Sequence, residues 1–504
     1  AALVAKARAS KLLPDAQLAT PKTPDLPVST AQLDGGDPAS QTATAALQRW
    51  AGAFAPGEAR VKVKLLSAEL DDSQFVTLAR IEASGPAADG ERQLQYIGAW
   101  RVQWTTDDDQ PEQIREIRAL QARTVTTPQT WFADVTSDLL PEALRSKTDL
   151  QRGGEFWPDY LDHVGETTRM GHQGIALGDV NGDGREDLYI AMCGGLPNLL
   201  LVQQPDGSFV DAAETAKVAF LDDTKGVLFA DMDNDGDRDL IAAIGPIVLL
   251  ALNNGSGVFD QIVQMRAPTN GAFYHLAVAD FDQDDDLDIY GCRYVEDAFA
   301  ASVPMPYHDA NNGPPNILFR NEGDLEFVDA TAALGLDANN RKFSVAAAWA
   351  DVDSDGDLDL YVANDFGRNN LYRNDAGRFV DVAAEAGVED QAAGMGVAFA
   401  DVDEDGDLDL YVTNMFSSAG QRIAWQSRFQ RELDPAQRQA IQEHALGNSL
   451  FLNRGDGTFE RAPDPSVRMG RWGWGARFCD FNDDGRSDIL APNGFLTGQS
   501  AADC

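Results

Sequence analysis

A short acidic loop of the form DxDxDGxxDL, or a close variant, occurs six times between residues 179 and 489, and it restricts the chain to an architecture assembled from like units. Counted from the first Asp, the loops begin at 179, 231, 280, 351, 401 and 480, with spacings of 52, 49, 71, 50 and 79 residues. A period near 50 suits one propeller blade of four short strands. The two long spacings hold insertions, residues 293–314 and 415–446, and the second ("QSRFQRELDPAQRQAIQEHA") predicts a helix.

Every unit has the same internal order. A small-residue strand ("GIALGD", "GVAFAD") leads into the loop, a strand such as "DLYIAM" or "DLYVTN" follows it, and a hairpin of the "NLLLVQQPDGSFVDAA" type completes the unit. One such sheet cannot bury both of its faces, so the units should pack radially with the Gly/Ala-rich first strand innermost. The last unit ends near "DILAPNGFLTG" without outer strands, whereas "TWFADVT" at 130–136 reads as an outer strand with no unit before it; this predicts ring closure by the N-terminal strand.

Counting from the first Asp, positions 1, 3, 5 and 9 carry oxygen-bearing side chains throughout, 22 of them Asp and two Asn. They are Asp179, Asn181, Asp183 and Asp187; Asp231, Asp233, Asp235 and Asp239; Asp280, Asp282, Asp284 and Asp288; Asp351, Asp353, Asp355 and Asp359; Asp401, Asp403, Asp405 and Asp409; and Asp480, Asn482, Asp484 and Asp488. Position 7 (Arg185, Asp237, Asp286, Asp357, Asp407, Arg486) would add a backbone carbonyl. Alternate hard oxygens in a tight turn, without His or Cys, select calcium over zinc or copper, and so many protein oxygens disfavour magnesium. Up to six calcium ions are expected. The third loop should be the weakest site, because Asp285 replaces the glycine that stands at position 6 elsewhere. An EF-hand is excluded: position 12 is Ile190 or Val362 and the flanks read as strands.

These repeats resemble the FG-GAP/VCBS family, found in the integrin α-subunit propeller and in secreted bacterial proteins similar to cartilage acidic protein. The resemblance spans roughly residues 128–500 and implies calcium in the loop between the first and second strands of each blade. Six loops leave six to eight blades open, and the resemblance favours seven. The group similar to cartilage acidic protein commonly continues into an ASPIC/UnbV segment, which this sequence, ending at Cys504, does not contain.

The fold class expected is therefore mainly β, a calcium-binding β-propeller over 128–504 preceded by a small α+β domain. Residues 1–40 are rich in Ala, Pro, Ser, Thr and Asp and read as a leader or linker. Residues 41–126 read as one amphipathic helix and four strands in an antiparallel meander, loosely similar in element order to NTF2-like or cystatin-like domains.

With 81 acidic and 40 basic residues the formal charge is −41, which repels nucleic acid and anionic membranes and favours cations and basic partners. No apolar run is long enough to span a bilayer. The first residue is Ala and no secretory signal is visible, which suits a mature chain, extracellular or periplasmic, from which a signal has been removed. Four cysteines do not make a disulfide framework.

His172, Lys225, Tyr274, His275, Met395, Trp472 and Trp474 precede the loops by comparable distances and form the candidate ligand set at the channel mouth. Aromatic and polar groups of this kind suit a glycan or a protein partner. Against this stands ordinary packing between blades. Cys193 and Cys292, with Met170, His172 and His275, make a lesser candidate soft-metal site against the commoner role of buried cysteine as a small apolar group. No GxSxG, HExxH, Walker or GxGxxG motif is present, so the leading expectation is a binding or adhesion module. The alternatives are a carbohydrate lyase or dehydratase, in which His172, Tyr274 and His275 would move protons, and a structural subunit of a surface assembly.

Overall fold

The computed structural model describes residues 8–9, 29–34, 41–71, 74–104, 114–128, 135, 139–140, 174–269, 271–294, 303–307, 309–417, 420, 423–426, 429–463, 465–481 and 484–493. Met170, His172, Asn482, Cys504 and most of the proposed closing strand 130–136 lie outside these residues. Two compact units divide the chain, one drawn chiefly from Ala1–Asp134, the other from Val135–Phe481 and Gly485–Cys504.

The first unit is a sheet backed by one helix. Its strands are β1 (Arg8–Ala9), β2 (Ser29–Asp34), β3 (Gln41–Thr42), β4 (Arg60–Asp71), β5 (Gln74–Pro86), β6 (Gln93–Trp104) and β7 (Ile114–Thr127), with α1 (Ala43–Ala51) between β3 and β4. β4 to β7 form an antiparallel meander, and β2 pairs antiparallel with β7 from Ser29↔Thr126 to Asp34↔Gln121. The stretch 1–40, expected as a leader, thus contributes β1 and β2, both paired with β7, whose backbone offers them partners. Ala46 and Trp50 of α1, with Phe54 beyond it, pack on the inward residues Ile81, Tyr96, Trp100 and Ile117. Gly98 permits this packing: a Cβ there would stand 2.4 Å from the Tyr96 hydroxyl oxygen.

Among the described residues, the second unit contains five four-stranded antiparallel sheets and a two-stranded one. The first is β8 (Ile175–Gly178), β9 (Asp187–Ile190), β10 (Leu199–Gln203) and β11 (Phe209–Asp211). The second is β12 (Thr224–Ala230), β13 (Asp239–Ile244), β14 (Ile247–Asn253) and β15 (Phe259–Arg266). The third is β16 (Phe273–Ala279), β17 (Asp288–Arg293), β18 (Ile317–Asn321) and β19 (Phe327–Asp329). The fourth is β20 (Ser344–Ala350), β21 (Asp359–Asn364), β22 (Asn370–Asn374) and β23 (Phe379–Asp381). The fifth is β24 (Gly394–Ala400), β25 (Asp409–Asn414), β26 (Ser449–Asn453) and β27 (Phe459–Arg461). The last pair is β28 (Arg477–Cys479) and β29 (Asp488–Leu490).

Successive first strands, β8, β12, β16, β20, β24 and β28, lie side by side, which is the arrangement of a propeller. Glycine allows their close approach. A Cβ on Gly226 would lie 3.1 Å from the His275 Cα, and one on Gly396 would lie 2.8 Å from the Gly475 Cα. Apolar residues facing between sheets supply the core, for example Tyr189, Leu240 and Ala242 between the first two sheets and Tyr361, Leu410 and Val412 between the fourth and fifth. The insertion after β25 carries α2 (Pro435–Glu443), capped by Asp434, whose carboxylate accepts from the Gln437 N–H.

The hairpin topology sorts the chemistry into two ends. The first five acidic loops each join a first to a second strand and so lie at one end of the unit. The starts of the first strands, the ends of the second strands and both insertions lie at the other.

Candidate metal centres

The first five loops share one fold, and their geometry follows from where each carboxylate finds its donors. At position 1, one oxygen accepts from the backbone N–H of position 5 and the other from that of position 6, as in Asp351 with Asp355 at 3.2 Å and Gly356 at 3.0 Å. The same pair of bonds recurs at Asp179, Asp231, Asp280 and Asp401. Position 6 needs a left-handed backbone, with φ between 82° and 99° at Gly184, Gly236, Gly356, Gly406 and Gly485. Asp285 adopts φ 71° and its N–H donates to Asp280 at 3.1 Å, so the third loop keeps the common shape despite its side chain.

Position 9 anchors the loop to the sheet. Asp187, Asp239, Asp288, Asp359 and Asp409 are buried; one oxygen accepts from the position 2 N–H and the other from the residue ending the third strand. For Asp359 these donors are Val352 at 3.0 Å and Asn374 at 2.8 Å. Burial, reinforced by neighbouring loop carboxylates and opposed by these donors, pushes the Asp239 carboxyl up to about 6 and those of Asp288 and Asp359 up to about 7. A divalent cation would reverse that shift.

The donors leave oxygens pointing into the loop. Ligand oxygens of Asp231, Asp233 and Asp239 lie within 4.8 Å of one another, as do those of Asp280, Asp282 and Asp288, of Asp351, Asp353 and Asp355, and of Asp401, Asp403 and Asp409. Oδ1 of Asp282 and Oδ1 of Asp353 are buried and accept no hydrogen bond. Buried, unsatisfied carboxylate oxygens converging at this separation match the cavity that a cation with oxygen ligands at about 2.3–2.6 Å requires. Asn181 takes the same place in the first loop, where it accepts from the Asp183 N–H at 3.0 Å. Among the described residues, no such cluster includes His or Cys.

Two position 7 side chains are engaged with the protein itself. Asp357 accepts from the Ala376 N–H at 3.2 Å, and Arg185 pairs with Asp183 while donating to the Gln203 carbonyl at 3.1 Å. They tie the loop to the outer strands, leaving only the backbone of this position for a cation. Another class of tie was not anticipated from the sequence. The amides of Asn253, Asn374 and Asn453, each ending a third strand, donate to the position 2 carbonyls Val180, Phe281 and Val352 of the preceding sheet at 2.7, 3.2 and 2.8 Å. The recurring Asn at the end of "LLALN", "NLYRN" and "SLFLN" was the available signal.

At the opposite end, the candidate ligand residues are only partly united. β12, β16, β20 and β24 each shift register near their start, and the residues lying within these bulges include Lys225, Tyr274, Val345 and Met395. Tyr274, Val345 and Met395 cluster with Tyr294 and Phe343, and Trp474 packs against them. The Lys225 ammonium, 2% exposed, lies 3.3 Å from Asp223 and 5.8 Å from the Tyr274 ring centre. His275 faces elsewhere, accepting from the Ala347 N–H at 3.4 Å, and Trp472 bridges to Met415. Cys193 packs with Met192 and Leu196, whereas Cys292 lies in a separate cluster with Tyr290 and Leu318, and burial pushes its thiol up. The insertions supply what the list lacked: Tyr307 reaches Phe366 at 5.2 Å and His444 at 5.1 Å between ring centres, joining the two insertions, and Tyr307 and Trp425 are 52% and 63% exposed.

The family profile described as FG-GAP-like repeat matches residues 179–242, 351–412 and 441–491, which together contain every acidic loop except the third. The chain carries FG-GAP-like repeats. Human cartilage acidic protein 1 is 27% identical over 241 residues, covering 46% of this chain and 34% of that protein. The Xenopus tropicalis protein is 30% identical over 233 residues, covering 45% and 34%. The matched region thus spans about a third of these relatives' own length. Among solved structures, a lectin of Agrocybe aegerita that recognises non-reducing terminal N-acetylglucosamine has a TM-score of 0.36 at 20% identity, covering 62% of this chain and 72% of that one. The Vibrio cholerae biofilm matrix protein Bap1 has a TM-score of 0.32 at 14% identity, covering 60% and 41%. Neither likeness is close enough to inform the ligand of the FG-GAP-like chain.

Proposed function

We propose that this chain is an exported binding module in which a calcium-stabilised propeller holds rigid a recognition face at the end opposite its acidic loops. The observation that carries the calcium assignment is the pair of buried carboxylate oxygens without donors, Asp282 Oδ1 and Asp353 Oδ1, inside loops whose position 1 and position 9 carboxylates are held by backbone N–H groups. Its repetition argues for scaffolding. A catalytic centre is a single constellation, whereas the same loop stands in one sheet after another, and bound cations there would couple folding to calcium.

The ring is proposed to be closed by residues 130–136 beside β28 and β29, with seven blades favoured. The recognition face is proposed to combine the cluster of Tyr274, Tyr294, Met395 and Trp474 with Tyr307 and Trp425, exposed aromatics of the two insertions. Exposed aromatic rings on loops over a rigid scaffold suit a glycan or a protein partner. Among the described residues no helix is long and apolar enough to cross a membrane.

The test is a glycan array and a pull-down performed with calcium and with chelator, using the wild type and a Tyr307→Ala/Trp425→Ala variant. Hits that disappear with chelator and weaken at least tenfold in the variant are expected. Binding that survives both changes would place the ligand elsewhere.

A further inference from the structure

The acidic loops are not independent of one another. Position 4 of the first five loops takes a left-handed backbone, with φ of 70° at Gly182, 59° at Asn234, 58° at Gln283, 59° at Ser354 and 65° at Glu404. From that conformation the longer side chains reach the next loop. Asn234 Nδ2 donates to the carbonyl of Asp285 at 2.9 Å. Gln283 Nε2 donates to the carbonyl of Gly356 at 2.9 Å and to Asp357 Oδ1 at 3.2 Å. Glu404 accepts from Arg486 Nε at 3.1 Å.

Each acceptor sits at a sensitive point. Asp285 and Gly356 occupy position 6, and their N–H groups hold the position 1 carboxylates of Asp280 and Asp351. Position 6 also directly precedes the residue whose carbonyl would complete the coordination. The position 6 carbonyl shares its peptide with the N–H of position 7, which donates to the position 5 carboxylate (Asp286 to Asp284 at 3.0 Å, Asp357 to Asp355 at 2.9 Å), so a bond to it fixes the peptide that orients that ligand and leads into the position 7 carbonyl. The links are also unevenly distributed: Gly182 has no side chain to offer the second loop, and Ser354 is too short to make the equivalent bond to the fifth.

We propose that Asn234 and Gln283 are positioning residues that couple the second, third and fourth loops, so that a cation in one raises the affinity of the next. This rests on the calcium reading above. Gaps at Gly182 and Ser354 bound the coupled run on either side, and the Glu404–Arg486 pair joins the fifth loop to the sixth. The coupling also explains how the third loop, with Asp285 at position 6, keeps its geometry, since it is held from both neighbours.

The test is a calcium titration by calorimetry on the full chain, arranged as a double-mutant cycle between Gln283→Ala and Asp355→Asn, which weakens the fourth loop. In the wild-type background the Asp355→Asn change should also weaken the third site, by about 2- to 10-fold for the loss of one hydrogen-bonded link; with Gln283→Ala in place it should affect the fourth site alone. Both residues are exposed, so the fold should tolerate the changes. A complementary variant, Ser354→Gln, should extend the run and steepen the titration by drawing the fifth site into it. Calcium uptake with strictly additive effects in the cycle and no steepening in Ser354→Gln would overturn the coupling while leaving the calcium sites intact. No uptake by the wild type would overturn both.

Discussion

The buried position 9 aspartate concentrates the physical conflict of each repeat. Asp239, Asp288 and Asp359 are wholly buried or nearly so, and each is needed as an acceptor for two backbone N–H groups, yet burial disfavours its charge. Protonation relieves that cost when no cation is bound. Because the folded-state values, about 6 to about 7, lie above the ordinary 3.8, calcium-free protein takes up protons on folding between those limits. Its stability is fully present below pH about 3.8 with respect to these groups and is lost as pH rises through about 7. With calcium the trend should invert, since the cation needs the deprotonated carboxylates. Urea midpoints of calcium-free protein at pH 4.5 and pH 7.5 check this, and a calcium-free midpoint that is higher at pH 7.5 would contradict it.

At the level of strands and turns, the third-strand asparagines join consecutive sheets. Asn253 donates to Val180 of the preceding sheet at 2.7 Å and to Arg238 at 3.1 Å, whereas Nδ2 of Asn321, equally buried, has no hydrogen-bond partner. Asn253→Ala should therefore cost about 1–3 kcal/mol more than Asn321→Ala, by leaving the Val180 carbonyl without its donor. Chemical denaturation of the two variants measures the difference, and equal losses would show that these bridges do not hold the sheets together. The repeats themselves were legible because each loop begins with an Asp and ends a small-residue strand, a pattern that recurs in one register. Lys225, Tyr274 and Met395 were picked out by their spacing from the loops, but what unites them, a bulge at the start of each inner strand, has no signature beyond that spacing. His275 shows the limit: it adjoins Tyr274 in sequence, and in a strand neighbours point to opposite sides. The part played by Tyr307 was unreadable, because it depends on its packing against Phe366 and against His444 of the second insertion, far apart in sequence.

For the molecule as a whole, the formal charge of −41 is the quantity that the fold must accommodate. Much of it is crowded into loops at one end of the propeller-like unit, where self-repulsion opposes the compact state unless cations offset it. Binding to the folded form alone stabilises by an amount that grows with calcium concentration, so the same chain should behave as two materials, firm in calcium and weak in chelator. The most direct measurement is calcium stoichiometry by equilibrium dialysis, with a thermal melt run on the same samples before and after chelation. The account predicts several calcium ions retained per chain and a melting temperature that falls by many degrees on chelation and recovers when calcium, but not magnesium at equal concentration, is restored. Protein that retains no calcium and melts identically in chelator would contradict it.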